Sequence, residues 1–179
     1  MHRSKAGIWL GALTGFYRPT AEAVRGLDPF ARFLYAARSV ILVISAQAAL
    51  IAGLLALGAR RFDPLDFVLV LAGFVAAHLF SNLSNDYFGY KRGDDTPDSP
   101  RMRYTVHPFA SGVLEARALG TGLALLAAIG LAITAYFVVE RGWTAVGFAA
   151  AGTALLFLSS LFVLYDLAER IDKILDEHP

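Results

Sequence analysis

The chain has 179 residues, 56% of them hydrophobic and 17% charged, with a formal net charge of +1 and no cysteine. A soluble domain is roughly half apolar and a quarter charged, so this composition speaks against one large soluble core. The absence of cysteine excludes disulfides and thiolate metal sites, while the small net charge is informative only through where the charges fall.

Residues 1–29 hold a short apolar patch, IWLGAL, followed by Arg18, Pro19, Glu22, Arg25 and Asp28. The patch is short for a signal-peptide core and lacks a small-residue cleavage site, so no cleavable signal is expected. The segment reads as a cytoplasmic lead-in, either with an interfacial helix carrying Trp9, Phe16 and Tyr17 or as a disordered tail. Residues 30–165 then contain four apolar blocks, each long enough for a bilayer core that needs about 20 residues. The blocks are Phe33 to Leu57, Leu65 to Leu83, Ala118 to Val139 and Trp143 to Tyr165. Asp63 and Pro64 mark the start of the second. Hydrocarbon offers no partner to unpaired backbone groups, so such spans must be helices. The expected fold is therefore all-α: an integral membrane bundle of about four transmembrane helices.

Small residues at Gly120, Gly122, Gly147 and Gly152 predict close helix packing. Tyr136, Trp143 and Tyr165 fall near block ends, where aromatic belts form. Orientation follows from Lys and Arg. Six lie in the lead-in up to Arg38, five in the connection after the second block and two in the tail, against three in the other connections (Arg60, Arg61 and Arg141). Basic residues concentrate on the cytoplasmic side, which places both termini and residues 84–117 there, in a multi-pass protein of the cell (inner) membrane surrounded by lipid. Since these basic residues are the ones that set orientation, no nucleic-acid partner is expected.

The connection following the second block is unusually charged. Asn82, Asn85 and Asp86 lie at the cytoplasmic end of the second block, Asn85–Asp86 follow the apolar run without a spacer, and positions 82, 86 and 89 or 90 share one helical face. Gly93, Pro97 and Pro100 end the helix and put Asp94, Asp95 and Asp98 on a loop. Polar groups at membrane depth are costly and often functional. Asn82, Asp86, Asp94, Asp95 and Asp98 offer the hard oxygen donors that suit Mg²⁺, which takes one or two carboxylates and completes its shell with water and phosphate. Lys91, Arg92, Arg101 and Arg103 supply cations for the same phosphates. For the 94–99 segment alone, an ordinary hydrophilic loop is the stronger reading. His78 and Gln47 read as helix-to-helix hydrogen bonds rather than catalytic groups.

NDYFGYKRGDDTPD followed by HPFASGVLEARAL resembles the first signature of the UbiA superfamily of membrane prenyltransferases, most closely the branch acting on 1,4-dihydroxy-2-naphthoate in menaquinone synthesis. Asn85, Asp86, Tyr87, Tyr90, Gly93 and Asp95 match in the first segment, and Pro108, Ala110, Ser111 and Gly112 in the second. The resemblance implies Mg²⁺-dependent transfer of a polyprenyl group from its diphosphate to an aromatic acceptor. Asn85, Asp86 and Tyr90 would then be catalytic, and Tyr87, Phe88, Tyr90 or Tyr104 would face an allylic cation or else anchor the interface. Gly89 stands where the family has a second aspartate, and His107 where it has an arginine. The family has eight or nine spans and a second Asp-rich motif, whereas this chain has four blocks. A second copy or a carboxy-terminal half protein is therefore the expected partner. Residues 166–179 read as an amphipathic C-terminal helix, with Leu167, Ile171, Ile174 and Leu175 on one side and Asp172 and Asp176 at D-x-x-x-D spacing. The alternatives are a non-catalytic membrane protein keeping a prenyl-diphosphate-binding or assembly surface and, more weakly, a transporter or channel subunit.

Overall fold

The computed structural model describes residues 5–14, 19–39, 42–93, 95 and 106–154, and the regular structure among them is helical, α throughout except for 3₁₀ at Ser39. Helix α1 spans Lys5–Thr14, α2 Ala21–Arg25, α3 Pro29–Ala36, α4 Leu42–Gly58, α5 Pro64–Arg92 and α6 Ala116–Arg141, and residues 143–154 are also helical.

The helix boundaries follow local chemistry. Thr20 caps α2 by accepting from the Ala23 amide at 3.2 Å, and Asp28 caps α3 by accepting from the Ala31 amide at 2.9 Å, with Pro29 opening the helix. The Ala31 amide holds the Asp28 carboxyl below its ordinary value of 3.8, and the Lys5 ammonium 3.7 Å away adds to the shift. Asp63 caps α5 by accepting from the Leu65 and Asp66 amides at 2.8 and 3.0 Å, as the Asp63–Pro64 pair foretold. At its far end Gly93, with φ of +81°, turns its amide back onto the carbonyls of Gly89 and Tyr90, a conformation glycine adopts without strain.

The expected spans need one correction. The block from Phe33 to Leu57 is two helices rather than one, because the chain turns at Ala37 and Arg38, with Arg38 at φ of +56°. The 17-residue α4 that remains is about 26 Å long at 1.5 Å per residue. The second and third blocks become α5, of 29 residues, and α6, of 26, both long and apolar enough to cross a membrane. The fourth block is helical over 143–154, and its remainder lies outside the described residues together with the 166–179 tail. Leu50, Ile51, Leu54 and Leu55 of α4 and Leu125 and Leu131 of α6 are exposed. An apolar surface of that extent suits a hydrocarbon surround better than water.

Residues 1–133 and 134–179 form two compact units, with the boundary inside α6. In the first, one core gathers Ala36, Ala37, Ala76, Leu79, Leu83, Leu114, Leu119 and Leu126. A second joins Ile8, Val24, Leu27 and Tyr35 to Val106 and Val113, with Trp9 edge-on to Tyr35 at 6.2 Å. The lead-in is thus helical at 5–14 and 21–25, with α3 following from Pro29, and packs against the segment before α6; Phe16 and Tyr17 lie outside the described residues. In the second unit Tyr136 and Phe137 form a ring pair at 5.2 Å, and Trp143 is exposed.

Glycine packing is more selective than expected. A Cβ at Gly122 would run into the Phe33 ring, and one at Gly53 would meet the Phe67 ring at 2.7 Å. Gly120, Gly147 and Gly152 have no described atom within 4 Å of that position. Of the four glycines singled out for close packing, Gly122 alone meets a described neighbour, and that neighbour is an aromatic ring rather than a second backbone.

Candidate functional site

The polar face of α5 begins one turn below Asp86. Asn82 donates from its amide nitrogen to the Ala37 carbonyl at 3.1 Å, satisfying a backbone group that the α3–α4 break leaves without a helical partner. Asp86 is 2% exposed, and its Oδ1 pairs with the Arg38 guanidinium from the same break. A carboxylate this deep requires a partner, since isolated buried charge is very costly. Arg38 is 32% exposed at its side chain, so it reaches solvent while its terminal nitrogen reaches Asp86.

Asp95 lies past the end of α5, yet it folds back onto that helix. A Cβ at Gly89 would meet Asp95 Oδ2 at 2.7 Å. The same oxygen lies 3.0 Å from His107 Nε2. His107 is 0% exposed, and its Nδ1 accepts from the amides of Phe109 and Ala110, both at 3.2 Å. Pro108 is buried beside it, and the turn at 108–114 is closed by the Val113 and Leu114 amides donating to the Pro108 carbonyl at 2.9 Å. Arg25 of α2 ties this turn to the lead-in by donating to the Ser111 carbonyl at 2.7 Å.

Aromatic rings surround the cluster. Tyr87 meets Phe88 and Phe109 edge-on at 5.5 and 5.6 Å, and Tyr90 lies 5.7 Å from His107 and 6.2 Å from Phe109. Tyr90 is 45% exposed, as befits a residue at the rim of the cluster. Lys91 places Nζ 5.8 Å from the Tyr87 ring centroid, within cation–π range. Asn85 and Arg92 are exposed on the last turns of α5.

Of the site residues expected from sequence, the structure therefore brings Asn82, Asn85, Asp86, Tyr90, Lys91, Arg92 and Asp95 to one end of α5. Asp94, Asp98, Arg101, Arg103 and Tyr104 lie outside the described residues. Asp86 and Asp95 enter the site already engaged, one by Arg38 and the other by His107, and Asn82 spends its amide nitrogen on the backbone. Among the described residues no three His, Cys, Asp or Glu gather into a group that could hold a metal. Asp86, Asp95 and Asn82 bring hard oxygen donors to this end of α5, the ligand type that Mg²⁺ takes with water and phosphate completing its shell.

Sequence reasoning missed Arg38 as the partner of Asp86; it had been counted only toward orientation. A lone arginine interrupting an apolar run was the available signal. His78 behaves as read, with Nδ1 2.6 Å from Ser45 Oγ across α4 and α5, whereas Gln47, given the same reading, is exposed on α4. A crevice of about 120 Å³ between α4 and α5, lined by Gly53, Arg61, Asp66 and Phe67, lies at the opposite end of α5 from Asp86.

No family model matches the chain, and no curated protein or solved structure gives a significant match.

Proposed function

We propose that this chain is a four-span protein of the cell membrane with both termini cytoplasmic, and that the Asp86 end of α5 binds a polyprenyl diphosphate for Mg²⁺-dependent transfer to an aromatic acceptor such as a dihydroxynaphthoate. The observation that carries this reading is the return of Asp95 onto α5 at Gly89, three residues from the buried Asp86. Two carboxylates held at the polar end of a long apolar helix are placed where a lipid diphosphate presents its headgroup. The NDYFGYKRGDD and HPFASG segments, which resemble the UbiA signature, form one cluster through Asp95 and His107.

When bound, Mg²⁺ would stabilise the negative charge that develops on the departing diphosphate. The chain's own residues then have distinct tasks. Asp86 and Asp95 bind the cation, and Lys91 and Arg92 stand at the α5 terminus to meet phosphate oxygens. Tyr90, beside His107 and Phe109, presents an aromatic face to the prenyl carbon that loses its C–O bond. The acceptor ring forms the new C–C bond and releases a proton. A second copy or a carboxy-terminal half protein is the partner proposed to complete the cavity.

The Arg38–Asp86 pair favours a second reading, a non-catalytic diphosphate-binding or assembly surface, because the pair already balances the buried charge. Full-length chain, with and without a partner half, assayed with Mg²⁺, a polyprenyl diphosphate and dihydroxynaphthoate separates the two. Prenylated product that disappears with Asp86→Ala, while membrane insertion persists, supports the enzyme. Absence of product under all conditions, with diphosphate binding retained, supports the binding surface.

A further inference from the structure

Position 89 lies on the α5 face that carries Asn82 and Asp86, about 4.5 Å along the axis from Asp86 at 1.5 Å per residue. It has no side chain, and the space a side chain would fill is taken by the Asp95 carboxylate. The loop thus delivers a carboxylate to a place on the helix face where the helix itself offers none.

His107 determines how that carboxylate is held. Its Nδ1 faces two backbone N–H donors, from Phe109 and Ala110, so Nδ1 is an acceptor and carries no proton. The ring proton is on Nε2, which donates to Asp95 Oδ2 at 3.0 Å. The imidazole is therefore neutral and orients Asp95 without cancelling its charge. Asp86 is paired with Arg38, while Asp95 is held by His107 in a place where His107 is fully buried and the Asp95 side chain is 15% exposed.

We propose that His107 is a positioning residue: as a neutral Nε2–H imidazole it seats Asp95 in the space left by Gly89, making Asp95 the second carboxylate for a divalent cation beside Asp86. Gly89 and His107 are then two halves of one arrangement, the first vacating the space and the second fixing what fills it. The seating follows from the geometry alone, and its role toward a cation rests on the function proposed above.

The test uses the full chain in lipid nanodiscs, with Mn²⁺ binding followed by electron paramagnetic resonance and the His107 tautomer by ¹⁵N NMR. Nε2 protonated and Nδ1 unprotonated is the expected signature. His107→Ala weakens Mn²⁺ binding about ten- to a hundredfold, the usual effect of losing a group that orients a metal ligand. His107→Gln, which keeps an amide donor, recovers most of that loss, and Gly89→Ala, which expels Asp95, reproduces it. Gly89→Asp returns a carboxylate to the helix, so in that background His107→Ala leaves Mn²⁺ affinity unchanged. Circular dichroism of each variant confirms that helicity is retained. A protonated Nδ1, or wild-type Mn²⁺ affinity in His107→Ala, overturns the positioning role alone. A wild-type chain with the expected tautomer but no Mn²⁺ binding overturns the cation site and, with it, the proposed function.

Discussion

Removing Arg38 deletes the guanidinium paired with a buried carboxylate, and the structure sets how much that costs. Asp86 is 2% exposed and Arg38 32%, so the two partners are not equivalent. Breaking a buried ion pair by deleting one partner costs about 3–5 kcal/mol when the remaining charge is fully buried. Arg38→Ala removes this partner from Asp86, and the partial exposure of the pair puts the expected loss at the lower end, about 3 kcal/mol. Asp86→Asn leaves an arginine that already reaches solvent and keeps a hydrogen-bonding amide, so about 1–2 kcal/mol is expected. Arg38 also sits at φ of +56°, a conformation that costs a non-glycine residue roughly 1–2 kcal/mol. Arg38→Gly relieves that strain while losing the same ion pair, and should be about 1 kcal/mol less destabilising than Arg38→Ala. Unfolding in mixed micelles by titration with a denaturing detergent, followed by helicity, measures all three variants and the Arg38→Ala/Asp86→Asn double. A coupling of about 1–3 kcal/mol is expected in the cycle. Equal losses for the two single variants, additive within about 0.5 kcal/mol in the double, would refute the reasoning.

Further expectations concern packing and caps. Gly122→Ala drives a methyl group into the Phe33 ring and should destabilise by about 1–3 kcal/mol, whereas Gly120→Ala meets open space and should be neutral or stabilising through helix propensity; the same detergent titration compares them. Ser45→Ala removes the hydroxyl 2.6 Å from His78 Nδ1 and should cost roughly 0.6 kcal/mol, the average for hydrogen bonds between membrane helices. Asp28 has a depressed carboxyl pKa in the folded chain, so its capping of α3 is fully present above the ordinary value of 3.8 and is lost as pH falls through the lower, folded value. Hydrogen exchange at the Ala31 amide should accelerate in that acid window, and Asp28→Asn, which caps without titrating, should abolish the acceleration.

Much of the helical layout is legible in the residues. Asp63–Pro64 and Gly93 mark both ends of α5, and the apolar run between them leaves little alternative to a helix. The α3–α4 break is hidden because nothing in FARFLYAARSV breaks a helix; Arg38 enters the left-handed region because its guanidinium has Asp86 to reach, a tertiary cause. The same limit applies to the site. Spacing places Asp86 and position 89 on one face, but that Asp95 fills the gap at Gly89 depends on the chain folding back from Gly93 and on a turn at 107–114 that is 0% exposed at His107. His107 stood out only as a departure from a resemblance, and its role emerges from three hydrogen bonds between residues distant from Asp86 in sequence.

Direct binding tests the central claim with the fewest assumptions, since it does not require turnover. A non-hydrolysable polyprenyl thiodiphosphate, titrated calorimetrically into the full chain in nanodiscs, should bind in the presence of Mg²⁺, release on chelation of the metal, and fail to bind to Asp86→Ala. Binding of equal strength with and without Mg²⁺, or an Asp86→Ala variant indistinguishable from wild type, would contradict it.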